Sequence, residues 1–150
     1  MTMAEFPSVE WFEALAAKAS EKSEELAEFG FAYIRLACRI DGLPGGSKAF
    51  GIRIEGYDVA SDGEIEPGSW GADCVLEGPA EAWFAMISSI QANGAAELSQ
   101  TLNALTLAED PMKVTGDDPM GRDLFYRFNQ TLQELFDLAA EIPTELPVGT

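Results

Sequence analysis

The stretch that decides the fold is FAYIRLACRI at residues 31–40, because its apolar side chains occupy every second position. Alternation with a period of two is typical of a β-strand that has one buried face. A loop rich in glycine and proline follows at residues 41–47, and the stretch FGIRIEGY at residues 50–57 alternates in the same way. The two stretches therefore predict an antiparallel β-hairpin.

Patterns on both sides of this hairpin predict the remaining elements. Apolar residues at helical intervals predict one long helix or two short ones over residues 8–29, with Gly30 at the end. Beyond the hairpin, the predicted elements are a short strand near 64–66, a strand over 72–77, and a helix with Pro79 at its first position that Asn93 and Gly94 stop. A helical run over 95–107, a short strand over 112–115, and a long helix from its N-cap Asp118 to about residue 142 follow. Pro143 and Pro147 end that helix, and residues 143–150 are expected to form a mobile tail. The sequence predicts a single α+β domain over residues 1–150, with its core at about 8–142.

Composition excludes several classes of function. The chain has 150 residues, with 26 Asp or Glu against 9 Lys or Arg, so its formal net charge is −17. Proteins that bind nucleic acid or anionic bilayers need basic residues to displace counterions, so neither partner is expected. There is no histidine, which removes histidine metal ligands and the usual catalytic triads. No metal and no cofactor are predicted.

The cysteines and the apolar runs indicate a compartment. Cys38 and Cys74 stand far apart without a C-x-x-C spacing, so they are expected to be small buried apolar side chains. Residues 1–7 lack the features of a secretion signal, and no apolar run approaches the ~18 residues that span a bilayer. We expect a cytoplasmic protein with reduced thiols and no integral membrane segment.

Two groups of charged residues are candidate sites. Asp58, Asp62 and Gly63 match part of a calcium-binding loop, but the final bidentate acid is absent and strands flank the segment, which favours an ordinary acidic turn. Three arginines stand on the polar side of the first two strands: Arg35, Arg39 and Arg53. They form either a surface for an anion, an acidic protein partner or a second copy of the chain, or cross-strand pairs with acids such as Glu55.

The densest apolar features are two helical stripes. One contains Trp83, Phe84 and Ile87, and the other contains Phe125, Phe128, Leu132 and Phe136, while Leu105 points inward from the intervening helix. Such stripes form either a packed core or the lining of a hollow one, and spacing does not decide between them. A ligand in a hollow core would be held by apolar area removed from water, at about 25 cal/mol per Å², without a metal or a catalytic histidine.

Two local segments resemble the sterol carrier protein 2 (SCP2-like) family of lipid-binding domains. They are ADCVLEGPAEAW at residues 72–83, a strand followed by a helix with a tryptophan, and EDPMKVTGD at residues 109–117, a short strand and a Gly-Asp turn. The resemblance implies a five-stranded, mostly antiparallel sheet with helices packed on one face, enclosing a hydrophobic tunnel for fatty acyl chains, acyl-CoA or sterols. It also implies that the residues of the two stripes line that tunnel. Two features depart from the family: the net charge of −17, which disfavours the phosphates of CoA, and the terminal residues 148–150, which are not a peroxisomal signal.

The predicted function is non-covalent binding or carriage of a hydrophobic small molecule, with no catalytic residue. The candidate ligand-binding residues are Trp83, Phe84, Ile87, Leu105, Phe125, Phe128, Leu132 and Phe136. One alternative is an enzyme or accessory subunit of a hydrophobic-compound pathway that uses Asp, Glu or Tyr as acid or base. Another is an interaction module that docks through the three arginines. The cone-shaped fold of small isomerases ranks last, because it ends in long strands whereas this chain ends in a helix.

Overall fold

The computed structural model describes residues 4–29, 32–56, 58–109, 111–116 and 119–146. The strands are β1 (Ala4–Glu5), β2 (Ala32–Leu43), β3 (Gly46–Gly56), β4 (Asp58–Glu64), β5 (Cys74–Pro79), β6 (Lys113–Thr115) and β7 (Thr144–Glu145). The helices are α1 (Val9–Glu21), α2 (Ser23–Leu26), α3 (Pro67–Trp70), α4 (Ala80–Asn93), α5 (Leu102–Thr106), α6 (Pro119–Arg127) and α7 (Asn129–Asp137). Short 3₁₀ turns lie at Ala27–Phe29, Leu98–Gln100, Leu107–Glu109 and Leu138–Glu141.

Five strands form one mixed sheet in the order β4-β3-β2-β5-β6, and the predicted α+β fold is confirmed. β2 and β3 form the predicted antiparallel hairpin, in which Leu36 lies opposite Ile52 and Cys38 lies opposite Phe50. These side chains are at most 2% exposed, as the alternation predicts. Two residues of the predicted strands, Phe31 and Tyr57, lie outside the described residues. The β2–β5 pair is parallel, and the three other pairs are antiparallel.

β4 covers residues that the sequence analysis treated as a turn. Gly51 pairs with Gly63 and Ile52 pairs with Ser61, so Asp62 is an extra residue in β4. Gly63 has φ +77, a conformation that glycine adopts without strain. The Asp-Gly pair therefore forms a β-bulge inside a strand instead of ending one, and the strand begins well before the predicted residues 64–66.

The helices before and after the sheet differ in detail from the prediction. The predicted helical region over 8–29 is two helices and a 3₁₀ turn, and Ser8 caps α1 by accepting a 3.1 Å hydrogen bond from the Trp11 backbone N–H. The predicted long C-terminal helix is α6, α7 and a 3₁₀ turn, with a distortion at Phe128 (φ −102). Hydrogen bonds from Phe128 N–H to Leu124 and from Leu132 N–H to Phe128 continue across the distortion. Gly30 and Asp118, the predicted helix end and N-cap, lie outside the described residues.

The start of the predicted tail is part of the fold. β1 and β7 pair in parallel, and Thr144 is only 7% exposed. The indole N–H of Trp11 donates a 2.9 Å hydrogen bond to Thr144 Oγ1, which fixes this segment on α1. Residues 143–146 thus differ from the expected mobile tail because a buried donor holds them in place. Residues 147–150 lie outside the described residues.

One short helix lies apart from the others. The buried faces of α1, α4 and α7 join the inward side chains of β2, β3 and β5 in one core. α3 lies on the opposite face of the sheet, where the Trp70 ring covers Gly51. The expectation that helices pack on one face therefore holds for these larger helices and not for α3. No helix of the described residues is long and apolar enough to cross a bilayer.

Candidate hydrophobic ligand site

The structure brings the predicted ligand-binding residues together in the core. Six of them are at most 4% exposed: Trp83, Ile87, Leu105, Phe125, Leu132 and Phe136. The other two, Phe84 and Phe128, are half-buried and pack against the same core. The two stripes therefore face a common interior, between the sheet and the helices.

Trp83 links the sheet to the C-terminal helices. Its indole N–H donates a 3.1 Å hydrogen bond to the backbone carbonyl of Arg39 in β2. Its ring centroid lies 6.1 Å from that of Phe136 and 6.2 Å from that of Phe6. These rings contact one another, so this part of the interior is packed in the structure as it stands.

Phe84 connects this interior to the surface. Its ring meets Phe6 edge-on, with centroids 6.1 Å apart and an interplanar angle of 82°. Phe84 also lines a groove of about 420 Å³ between the β2–β3 loop and the start of α4. We call this the Phe84 groove; its lining residues are Asp41, Gly42, Leu43, Pro44, Pro79, Ala80, Glu81 and Phe84.

Sequence reasoning missed this groove, since residues 41–47 were assigned to a flexible loop. The available signal was the apolar pair Leu43 and Pro44 inside an otherwise glycine-rich segment. β2 continues to Leu43 before it turns, and that extension brings the pair against α4.

The charged groups in the lining of the Phe84 groove are acidic. Asp41 Oδ1 accepts hydrogen bonds from Arg39 Nε at 2.9 Å and from the Ser47 hydroxyl at 2.6 Å. Glu81 lies in the first turn of α4, where a negative charge is favoured by the helix dipole. Arg39 also forms an ion pair with Glu77 at 3.7 Å, so the carboxylates of Asp41 and Glu77 already neutralise its charge. The lining of the groove therefore combines apolar side chains with two negatively charged ones.

The two other outer-face arginines also have partners. Arg53 contacts Asp62 through two hydrogen bonds of 3.1 Å and also pairs with Glu55. The hydrogen bond from Arg53 is the main cause that holds the pKa of Asp62 below its ordinary value. Arg35 lies 5.7 Å from the centre of the Trp70 ring and donates to the Trp70 carbonyl. The Arg53–Asp62 pair joins neighbouring strands, as the pairing interpretation expects, whereas Arg35 contacts Trp70. A role of these arginines as a partner or anion surface stays a prediction.

Trp70 is a structural residue that the sequence analysis did not single out. Glu66 caps α3 by accepting a 2.7 Å hydrogen bond from the Ser69 backbone N–H, and Gly71 ends it in the left-handed region. The Trp70 indole N–H donates a 3.0 Å hydrogen bond to the carboxylate of Asp62, the extra residue of the β4 bulge. Pro67 after an acidic residue was the signal for this one-turn helix.

The two cysteines and the candidate calcium-loop residue Asp62 are all engaged in the fold. Both thiols are buried, and burial raises their pKa, to about 12 for Cys74, so the nucleophilic thiolate is disfavoured. Asp62, a candidate calcium ligand, is occupied by Arg53 and Trp70. Within the described ranges, no group of three or more acids and cysteines is placed to hold a metal ion.

The fold defined by these elements is that of the sterol carrier proteins. A solution structure of a conserved hypothetical protein from Thermus thermophilus, whose description suggests a sterol carrier protein, matches with a TM-score of 0.66 and 16% identity over 99% of this chain and 97% of that one. A crystal structure of sterol carrier protein 2 matches with a TM-score of 0.64 and 15% identity over 90% of this chain and 97% of that one. No protein-family model and no curated protein matches the sequence. The predicted resemblance is thus confirmed in fold, over nearly the whole chain.

Proposed function

We propose that this protein binds a hydrophobic small molecule non-covalently, with the Phe84 groove as its point of contact. The observation that carries the proposal is the position of Phe84, which lines an apolar surface groove on one side and touches the buried ring of Phe6 on the other. The sterol carrier protein fold supports the same class of function. Ligand pockets of this type are mostly apolar, with a few polar groups that set orientation.

Binding would draw on burial of apolar area. Leu43, Pro44 and Ala80 form an apolar surface beside Phe84. A hydrocarbon chain laid in the groove gains about 0.8 kcal/mol for each methylene that leaves water. A chain longer than the groove reaches the interior by displacing the Phe84 ring from Phe6. The rings behind it, Trp83 and Phe136, are the predicted lining of that deeper path.

The charges of the groove indicate which head group is accepted. Asp41 and Glu81 both line the groove, and Arg39 already pairs with two carboxylates. A carboxylate or phosphate ligand would be repelled there, and the chain's net charge of −17 adds to that repulsion. The proposed ligand is therefore a neutral apolar molecule, such as a fatty alcohol or a sterol, rather than a fatty acid or acyl-CoA.

The test combines extraction with a competition assay. Purified protein is extracted with organic solvent and analysed by mass spectrometry for bound apolar molecules. Displacement of a neutral fluorescent alkyl probe is then measured with dodecanol and with dodecanoate. We expect dodecanol to displace the probe at lower concentration than dodecanoate, because only the latter carries a negative charge.

Variants locate the site. Phe84→Asp places a charge in the groove and is expected to weaken probe binding by at least about tenfold, the equivalent of losing one buried aromatic contact. Leu98→Asp is the matched control, because Leu98 is 89% exposed and lies outside the groove. Equal binding by wild type and Phe84→Asp would reject the Phe84 groove as the site. Absence of any bound or displaceable apolar molecule would reject the function.

A further inference from the structure

The end of the β2–β3 hairpin projects beyond the neighbouring strand of the sheet. The last residue pair between β2 and β5 is Asp41 with Pro79, and the pairing of β2 with β3 shifts register between Ile40 and Leu43. We call residues 42–46 the hairpin tip. Within the described part of the chain, the hairpin tip pairs with no strand outside its own hairpin.

The hairpin tip has few contacts with the body of the protein. Gly42 has φ +77 and Gly46 has φ +101, a region that glycine adopts without strain. A Cβ added at Gly42, Gly45 or Gly46 would meet no atom within 4 Å, so these positions are not packed against other elements. Four of the five tip residues are exposed, and the fifth, Leu43, packs against the core. Segments with so little buried apolar contact open locally at low cost in free energy.

The hairpin tip forms one wall of the Phe84 groove. Leu43 and Pro44 line the groove from the tip, and Phe84 lines it from α4. α4 is fixed to the sheet, because Trp83 is 0% exposed and its indole N–H donates a hydrogen bond to the Arg39 carbonyl. A movement of the tip therefore widens or narrows the groove while the opposite wall stays in place.

A hydrogen bond joins the two ends of the hairpin tip. The Ser47 hydroxyl donates a 2.6 Å hydrogen bond to Asp41 Oδ1, and these residues come directly before and after the tip. Arg39 Nε donates to the same oxygen at 2.9 Å, which ties Asp41 to the regular part of β2. The bond between Asp41 and Ser47 is exposed to solvent, so it is of ordinary strength and can break and re-form.

We infer that the hairpin tip is a lid of the Phe84 groove. It opens by bending at Gly42 and Gly46, and the hydrogen bond between Asp41 and Ser47 favours the closed position. The inference rests on the proposed function, because a lid acts on a ligand that enters and leaves the groove. A lid of this kind sets the rates of ligand entry and exit, whereas the lining of the groove sets the affinity.

The experiment removes the hydrogen bond without changing the lining of the groove. Ser47→Ala deletes the hydroxyl, and Ser47 does not line the Phe84 groove. Ser69→Ala is the matched control, because Ser69 is another exposed serine whose hydroxyl donates to a residue three positions earlier, on α3. Rate constants for association and dissociation of the neutral fluorescent alkyl probe are measured by stopped-flow fluorescence.

The expected result is a parallel change in the two rate constants. Ser47→Ala should raise both by the same factor, about two- to tenfold, which is the equivalent of one hydrogen bond of ordinary strength. The dissociation constant should therefore stay within about twofold of the wild-type value, since the lining is unchanged. Ser69→Ala should have the rate constants of wild type.

Hydrogen exchange measures the movement without a ligand. Exchange of backbone amides is followed by mass spectrometry in wild type and in Ser47→Ala. We expect residues 42–46 to exchange faster than residues 34–40 of β2 in wild type. In Ser47→Ala, exchange should become faster still over residues 42–46 and stay unchanged over residues 34–40.

Several outcomes would overturn the inference. Exchange over residues 42–46 that is as slow as over residues 34–40 would show that the tip does not open. Faster exchange in Ser47→Ala with unchanged rate constants would show that the tip moves without controlling entry. An increase in the dissociation rate constant alone would make the tip a fixed wall of the groove. Absence of probe binding by wild type would reject the proposed function and the lid with it, whereas a probe that binds with unchanged rates rejects the lid alone.

Discussion

Replacing Thr144 by valine tests the packing of the C-terminal segment on α1. The Thr144 hydroxyl accepts a 2.9 Å hydrogen bond from the Trp11 indole N–H and donates a 2.8 Å bond to the Ile142 carbonyl. Valine has nearly the same shape, so the substitution removes the hydroxyl with little change in volume. The Ile142 carbonyl keeps a partner, because the Gln91 side chain donates to it at 2.8 Å. The Trp11 N–H, on a residue that is 0% exposed, has none left.

The magnitude follows from the unsatisfied donor. A buried polar group that loses its partner costs about 1–3 kcal/mol, and the methyl group that replaces the hydroxyl offsets a small part of this. We therefore expect a decrease of about 1–2 kcal/mol in the free energy of unfolding. For a chain of this length, that corresponds to a decrease in melting temperature of roughly 2–8 °C.

Thermal and urea unfolding, followed by circular dichroism, measure this decrease. Thr144→Ser is the control, because serine keeps the hydroxyl and is expected to be less destabilising than valine. If Thr144→Val is as stable as wild type, the Trp11–Thr144 hydrogen bond does not hold the segment on α1. Greater loss with serine than with valine would show that the methyl group of Thr144, and not its hydroxyl, holds the segment.

Two further predictions concern the outer face of the sheet. Gly51→Ala is expected to lower the melting temperature, because its added Cβ would lie 2.8 Å from the Trp70 ring, whereas Gly45→Ala, with open space around it, should change the melting temperature little. Asp62→Asn should be less stable than wild type at neutral pH by up to about 1 kcal/mol, since Asp62 loses its charge opposite Arg53. Folding lowers the pKa of Asp62, so the stabilisation by its charge is complete above the unfolded pKa of about 3.9 and is lost as the pH falls below it. The free energies of unfolding of wild type and Asp62→Asn should therefore become equal in acid. A difference that persists in acid would refute the charge-based explanation.

The sheet was predictable because its signal is local. The alternation in β2 and β3 assigns each side chain to one face, and Leu36 and Ile52 lie opposite each other on the buried face. The short segments were less predictable. α3 is a single turn, and its position depends on the contact of the Trp70 ring with Gly51 and on the hydrogen bond from Trp70 to Asp62 in the β4 bulge. Gly51 and Trp70 lie far apart in the sequence, and no periodic pattern indicates that they meet.

The candidate site was predictable in part. Helical spacing placed Trp83, Ile87 and Phe136 in a common interior, where the structure has them. Spacing does not report how closely two stripes approach, so it left open a packed or a hollow core. The Phe84 groove depends on a contact between the end of β2 and the start of α4, and on Leu43 and Pro44, which carry no periodic signal.

The pairing of β1 with β7 brings the two ends of the described chain together. The Ala4 N–H donates to the Pro143 carbonyl at 2.9 Å and the Phe6 N–H donates to the Glu145 carbonyl at 3.0 Å, so residues 4 and 146 end close together. A circular permutant would be joined there by a linker of about a dozen residues, because two parallel strands need a crossover connection. Opened between the exposed residues Gly94 and Ala95, it would keep every strand intact. Its two new termini would emerge between α4 and α5, where fluorescent labels could be attached without touching the Phe84 groove.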